Sequence, residues 1–178
     1  MTRVPVLPLL LAALLSGPST AAAQDVSVPV LKAAFLTNFA KFAAWPDGGA
    51  PAGRTFTFCV SGDKAVAAAL EQGFKDHPGQ EPVSVILVEP GGPLGACQMV
   101  YLGGVNLREA RRAIDGLHAA PIFTVSDVDG FAQQGGMAQL RLEQGRMRFV
   151  INPAAAQRAH IALSAKLLSL ATIVKDAQ

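Results

Sequence analysis

The last third of the chain decides the fold and reads, from Ser126 to Val174, SDVDGFAQQGGMAQLRLEQGRMRFVINPAAAQRAHIALSAKLLSLATIV. A loop with a double glycine comes first. Alternating apolar residues lie on both sides of the turn at 143–145, which predicts a β-hairpin with one polar face. Asn152-Pro153 then combines an N-cap residue with a proline in the first helical turn. The wide apolar band that follows predicts one long, mostly buried helix that extends to Val174.

Polar residues and glycines in this stretch allow more than one interpretation. Arg141, Arg146 and Arg148 lie on or near the polar face of the predicted hairpin. They either hold an anionic ligand or form a charged edge that resists edge-to-edge pairing. Gly135-Gly136 fits a tight turn, a flexible hinge or the lip of a ligand site. Small polar residues within the predicted long helix either hydrogen-bond backward along it or face a pocket.

Upstream, helix-like and strand-like segments alternate. Val28–Trp45 carries apolar residues at helical spacing, which fits a helix on the core or, alternatively, a partner-binding or membrane-surface helix. The strands predicted from apolar, β-branched and aromatic residues are Thr55–Ser61, Val83–Val88, Cys97–Leu102 and Pro121–Val125. The pattern predicts a single-domain α/β sandwich: a mainly parallel sheet, a C-terminal antiparallel hairpin, and flanking N- and C-terminal helices.

The connection between two of these strands is unusually short. Val83–Val88 is a nearly continuous apolar run, which is typical of a strand covered on both faces of its sheet. Only residues 89–96 separate it from the next strand, and a usual parallel crossover needs a longer segment. Either a compact irregular crossover exists here, or one of the two strands is antiparallel.

The N-terminal residues resemble an export signal. Arg3 supplies the positive charge, Val4–Leu15 the apolar segment, and Ala21–Ala23 a cleavage site of small residues. We therefore expect a signal peptide at 1–23 and one mature domain at 24–178, although a retained N-terminal anchor is an alternative. The apolar segment is too short to cross a bilayer core of about 30 Å. The mature protein is accordingly expected not to span a membrane.

The charge of the chain argues against a nucleic-acid partner. Its formal net charge is +2, and removal of the signal peptide takes away Arg3. Nucleic-acid binding normally requires a concentrated basic face, which a nearly neutral chain without a basic run does not provide.

Two cysteines remain after the expected cleavage, Cys59 and Cys97. An even number in an exported protein indicates a disulfide, and two buried free thiols are the alternative. A metal site is not predicted, since neither cysteine has a second cysteine or a histidine at ligand spacing.

No catalytic motif is present in the sequence. The chain lacks a G-x-S-x-G elbow, and its three histidines have no orienting partner nearby in sequence. Asp127 and Asp129, next to Gly130, fit a turn better than metal or acid–base chemistry. Ser61–Asp63 ends a strand and opens a helix, where anions can bind, but Asp63 itself would repel an anion. Neither an enzyme nor a cofactor is predicted.

The chain resembles the YfiR/HmsC-like family of periplasmic proteins over essentially all of its mature length. The resemblance is carried by motifs in a fixed order: Lys32-Ala33-Ala34-Phe35-Leu36, Asn38-Phe39, Phe42, Trp45-Pro46, Phe58-Cys59-Val60, Gly62-Asp63, Cys97, Thr124-Val125-Ser126-Asp127, Gly130-Phe131-Ala132, Gly135-Gly136-Met137, Arg148-Phe149-Val150-Ile151-Asn152, Ser164-Ala165-Lys166-Leu167-Leu168 and Leu170-Ala171.

This resemblance implies a periplasmic α/β sandwich without known enzymatic activity. Its best understood members bind the periplasmic sensory region of an inner-membrane diguanylate cyclase and repress cyclic-di-GMP synthesis. Some respond to redox state through disulfides, and some form homodimers. Cys59 and Cys97 match a disulfide pair of the family, whereas a second pair has no counterpart in this chain.

We therefore expect a repressor of a membrane-bound diguanylate cyclase or related sensor, and a periplasmic small-molecule binding module is the alternative. Exposed apolar residues of the first and last helices are the expected contacts. The motif residues for which the resemblance implies a structural or interaction role are Phe35, Trp45, Asp127, Gly130, Phe131, Gly135, Gly136, Met137, Arg148, Asn152, Ser164 and Lys166.

Overall fold

A computed structural model describes residues 26–46, 55–77 and 82–175. The expected signal peptide at 1–23 lies outside these residues. The helices within them are α1 (Val28–Phe42), α2 (Lys64–Asp76), α3 (Leu107–Gly116), α4 (Pro153–Arg158) and α5 (Ala165–Leu170). The strands are β1 (Ala43–Ala44), β2 (Phe56–Ser61), β3 (Val83–Val88), β4 (Met99–Leu102), β5 (Phe123–Ser126), β6 (Ala138–Glu143), β7 (Arg146–Ile151), β8 (Ala162–Leu163) and β9 (Thr172–Ile173).

The described strands form one large and one small sheet. The large sheet has the order β3-β2-β4-β5-β6-β7-β9, and β1 pairs with β8 in the small sheet. Every neighbouring pair of the large sheet is parallel except β6 and β7, which form an antiparallel hairpin. The predicted α/β class, the mainly parallel sheet and the C-terminal hairpin are confirmed.

The short connection after β3 is a compact irregular crossover. The chain runs from β2 outward to β3 and then returns past β2 to β4, and both strands pair with β2 in parallel. Gln98 holds the end of this crossover on β2: its backbone N–H donates to the Thr57 carbonyl, and its side-chain oxygen accepts from the Thr57 N–H. The strand order therefore reverses direction between β2 and β4.

Local sequence signals set most element boundaries. The Asp63 carboxylate accepts from the Val66 N–H at 3.1 Å and caps α2. Asn106 and Glu109 form a reciprocal capping box at the start of α3. At the hairpin, Gln144 and Gly145 have φ of 50° and 74°. Consecutive positive φ angles are what a two-residue turn matched to the strand twist requires.

Helices cover both faces of the sheet. On one face, α1 and α2 pack on alternate strand residues such as Phe58, Tyr101 and Phe123. On the other face, α3 packs on the intervening residues, which include Cys59 and Val100. The apolar stripe of α1 therefore serves the core, as the helical spacing predicted.

The prediction of one long, buried C-terminal helix is wrong. The segment contains two six-residue helices and two short strands, and His160 interrupts it with a positive φ of 55°. Ala162 and Leu163 pair with β1, while Thr172 and Ile173 pair with β7. The apolar residues thus contact several different surfaces in turn, although their spacing resembles that of one helix.

The prediction that the strand at 83–88 is covered on both faces is also wrong. β3 is an edge strand of the large sheet, and it pairs only with β2 among the described strands. Ile86 and Leu87, which point to opposite faces, are each 43% exposed. A continuous apolar run therefore did not distinguish a central strand from an edge strand here.

Candidate functional site

Cys59 and Cys97 form a disulfide under α3. Cys59 lies in β2, and Cys97 precedes β4 at the end of the crossover. Both sulfur-bearing side chains are buried, and they share an apolar cluster with residues such as Val100 and Ile122. The bridge consequently ties the crossover to the sheet. No free cysteine occurs in the described part of the chain.

The double-glycine motif belongs to the loop 127–136, between β5 and β6. Gly130 and Gly135 adopt positive φ angles of 80° and 97°, which a glycine adopts without steric cost. Gly136 has a different constraint, because a Cβ at this position would overlap the buried ring of Phe131. Of the earlier alternatives for Gly135-Gly136, the geometry fits a tight turn with close packing.

Buried polar side chains attach this loop to the strands. The Asn152 amide donates to the Ala132 carbonyl at 2.8 Å, and its oxygen caps α4 by accepting from the Ala155 N–H. The Asn152 N–H also donates to the carbonyl of Met137. The Met137 N–H donates to the Thr124 hydroxyl at 3.1 Å. These motif residues therefore hold the loop and the following helix to one end of the sheet.

The remaining motif residues are spread over the molecule. Trp45 packs edge-on against Phe56 and donates from Nε1 to the Gln98 carbonyl at 3.2 Å. Phe35 contacts the rings of Phe39 and Phe149. Ser164 caps α5, Lys166 lies over the Phe42 ring, and Arg148 is exposed opposite Arg141 on the hairpin. The motif as a whole is accordingly not one surface.

An ion cluster that the sequence did not indicate lies at the carboxyl edge of the parallel sheet. Lys32 of α1 contacts Asp127, directly after β5, at 2.7 Å, and Asp63, after β2, at 3.4 Å. The cluster joins α1 to two strand ends beside the point where the strand order reverses. Crevices at this position are where open α/β sheets usually bind ligands.

Tyr101 lies beneath this cluster. Its side chain is 1% exposed, and its ring lies 5.5 Å from the Lys32 ammonium. The hydroxyl makes no hydrogen bond of ordinary length and angle within the described residues, but the Asp127 carboxylate lies close enough to interact with it. Burial raises the pKa of Tyr101 well above its ordinary value of 10.0, and the charges of Asp127 and Asp63 raise it further.

We predict that Tyr101 stays protonated in the folded protein at a pH at which free tyrosine ionises. The chain has one tyrosine, so tyrosinate absorbance reports this residue alone. Because the folded pKa is raised, the stabilising contribution is complete below the unfolded pKa of about 10 and decreases as the pH rises above it. Tyrosinate absorbance should thus appear together with the loss of circular dichroism.

The control for this titration is a Tyr101→Phe variant, which should give no tyrosinate signal. Because the substitution removes a buried hydroxyl that makes no hydrogen bond of ordinary geometry, we expect the stability of the variant to be close to that of the wild type. Ionisation with a midpoint near pH 10 while the circular dichroism stays unchanged would show that the Tyr101 site is open to solvent.

Two grooves flank the sheet within the described residues. The α3 groove lies between α3 and the crossover segment 90–95, and its volume is about 610 Å³. The α1–α2 groove lies between those helices and has a volume of about 760 Å³, with Phe56, Phe58 and Phe74 in its walls. Both volumes fall in the range of small-molecule sites, which is about 300–1,000 Å³.

A model of one protein family, described as YfiR/HmsC-like, matches residues 29–172. The chain belongs to the YfiR/HmsC-like family. This confirms the resemblance found in the sequence, and the match includes both cysteines and every motif residue named above. No curated protein matches the chain.

The YfiR/HmsC-like family is regulatory rather than catalytic, and its members are periplasmic. Within the ranges 26–46, 55–77 and 82–175, no three His, Cys, Asp or Glu side chains are grouped to hold a metal ion. None of the helices described there combines the length and the apolar composition needed to cross a membrane.

Proposed function

We propose that this protein is exported to the periplasm, where it binds the periplasmic sensory region of an inner-membrane diguanylate cyclase or related sensor. Binding would lower cyclic-di-GMP synthesis. The observation that carries this proposal is the family match over residues 29–172. Residues 1–23 would direct export and then be removed.

Repression of this kind requires a difference in affinity. A bound protein shifts a sensor toward its inactive conformation only if it binds that conformation more tightly than the active one. The contact must therefore be large enough to distinguish the two conformations, and it needs an accessible apolar part.

Exposed apolar side chains at two places support such a contact. At the C-terminal end of the fold, Leu170 is 68% exposed and Ile173 is 50% exposed. Val26, Val28 and Val30 are exposed at the start of α1. Single exposed apolar residues are ordinary, but contiguous ones commonly mark interaction surfaces. We propose Leu170 and Ile173 as the main contacts.

Affinity capture from membranes tests this proposal. Tagged protein, cross-linked in the periplasm of intact cells, should retain a membrane protein that carries a diguanylate cyclase domain. A Leu170→Ser, Ile173→Ser double variant should capture much less of it. Leu142→Ser is the matched control, since Leu142 is 51% exposed on the hairpin and should not alter capture. Failure of the wild type to retain any such sensor would contradict the proposal.

A further inference from the structure

We propose that the α3 groove binds a small monocarboxylate with an apolar body, such as a medium-chain fatty acid. This inference does not depend on the proposed partner, because it concerns a site within this chain. It rests on the position and size of the groove, on a hydroxyl in its wall that makes no hydrogen bond within the described residues, and on a cation at its mouth.

The groove has the position and lining of a ligand site. One end of the groove lies at the carboxyl ends of β2 and β4, where the strand order reverses, and the groove extends along the sheet face opposite α1 to Ile122, at the amino end of β5. Its volume of about 610 Å³ accommodates a small molecule. The walls are mostly apolar and include Leu94, Leu102, Val105, Ala113, Leu117 and Ile122. Such a lining favours an apolar ligand body.

The Ser61 hydroxyl supplies a polar group that the fold itself leaves unused. Among the described residues, three hydroxyl-bearing residues on this face of the sheet are buried, and the side chains of two of them bond to the backbone. Thr124 accepts from the Met137 N–H, and Ser126 donates to the Leu102 carbonyl. Ser61 is only 2% exposed, lines the groove, and makes no side-chain hydrogen bond within the described residues. Because Ser61 lines the groove, its hydroxyl is available to a ligand that accepts its proton.

Arg112 supplies a positive charge at the mouth of the groove. This exposed side chain makes no ion pair or hydrogen bond with another described residue. Glu109 also lines the groove, but its carboxylate accepts from the Asn106 N–H in the capping box of α3. A carboxylate matches the chemistry of both side chains that line the groove, because it can accept from the Ser61 hydroxyl and carries a negative charge that Arg112 attracts. A primary amine would meet Arg112 as a like charge.

Titration of isotopically labelled mature protein with sodium octanoate, followed by amide NMR shifts, tests the proposal. We expect saturable shifts centred on Ser61, Ala113 and Leu117. Octan-1-ol and octylamine should bind at least about tenfold more weakly than octanoate, since neither carries the anionic acceptor. The sensor is absent from this experiment, so its outcome is separate from that of the capture assay.

Three variants localise the site. Arg112→Gln should weaken octanoate binding about tenfold, and Ser61→Ala should weaken it several-fold. Arg108→Gln is the control, because it removes the same charge from the same helix outside the groove. The amide spectra show directly whether each variant is folded. Shifts centred on the α1–α2 groove, equal binding of octan-1-ol, equal losses in the two arginine variants, or no saturation at millimolar octanoate would each overturn the proposal.

Discussion

Replacing both Cys59 and Cys97 with alanine is expected to lower the free energy of unfolding by about 4 kcal/mol. The disulfide closes a loop between residues 38 positions apart, and its loss restores conformational freedom to the unfolded chain. Both side chains are buried in the apolar cluster under α3, and alanine is used because it adds no polar group there. Urea unfolding followed by circular dichroism measures this difference. In a thermal scan the midpoint should fall by about 10 °C.

Reductant provides the control for this prediction. It should destabilise the wild type by a similar amount and leave the double alanine variant unchanged. A wild-type midpoint that does not respond to reductant, combined with a stable double variant, would mean that the two cysteines are not bridged in solution.

Gly136→Ala is expected to lower the free energy of unfolding by about 2–3 kcal/mol. The new methyl group would overlap the ring of Phe131, which is fully buried and cannot swing into solvent. Relief requires movement of the loop 127–136, and the hydrogen bonds of Asn152 and Met137 hold that loop to the sheet. Denaturant unfolding of the purified variant checks the value.

Two further variants separate crowding from the general effect of replacing glycine. Gly95→Ala has open space around the new methyl group and should change the stability by less than about 1 kcal/mol. In a Gly136→Ala, Phe131→Leu double variant, the smaller side chain should recover part of the loss caused by the alanine. Full additivity of the two changes would contradict the close packing of Gly136 on Phe131.

Local features of the sequence predicted much of the framework. Asp63, Asn106 and Asn152 start helices as their side chains and following residues indicated. Short-range rules work here because a cap residue and the N–H groups it serves are only two or three positions apart. The hairpin turn at Gln144-Gly145 was predictable for the same reason.

Longer-range features were not predictable from local patterns. An apolar band at helical spacing in 153–174 resembled one helix, yet Ser164 caps a separate helix and Ala162 pairs with β1. Pairing with a strand more than a hundred residues away leaves no signal in the local spacing. Ser164 itself was an available sign of a new helix start, because serine is favoured as an N-cap.

The candidate sites show the same division. The Cys59–Cys97 bridge could be predicted from the number of cysteines and from the family resemblance. The ion cluster was not, since Lys32 is 31 residues from Asp63 and 95 from Asp127. The α3 groove also exists only once the crossover segment and α3 lie on the same face. The sequence suggested Ser61 only as part of the turn that opens a helix. That its hydroxyl lines a groove without a hydrogen-bond partner among the described residues becomes clear only from the fold.

The central claim is that this protein represses cyclic-di-GMP synthesis from the periplasm, and the cellular cyclic-di-GMP concentration tests it most directly. Deletion of the gene should raise that concentration. Expression of the full chain in the deletion strain should return the concentration to the wild-type value. Expression of a chain without residues 1–23 should leave the concentration raised. An unchanged cyclic-di-GMP concentration in the deletion strain would contradict the proposed function.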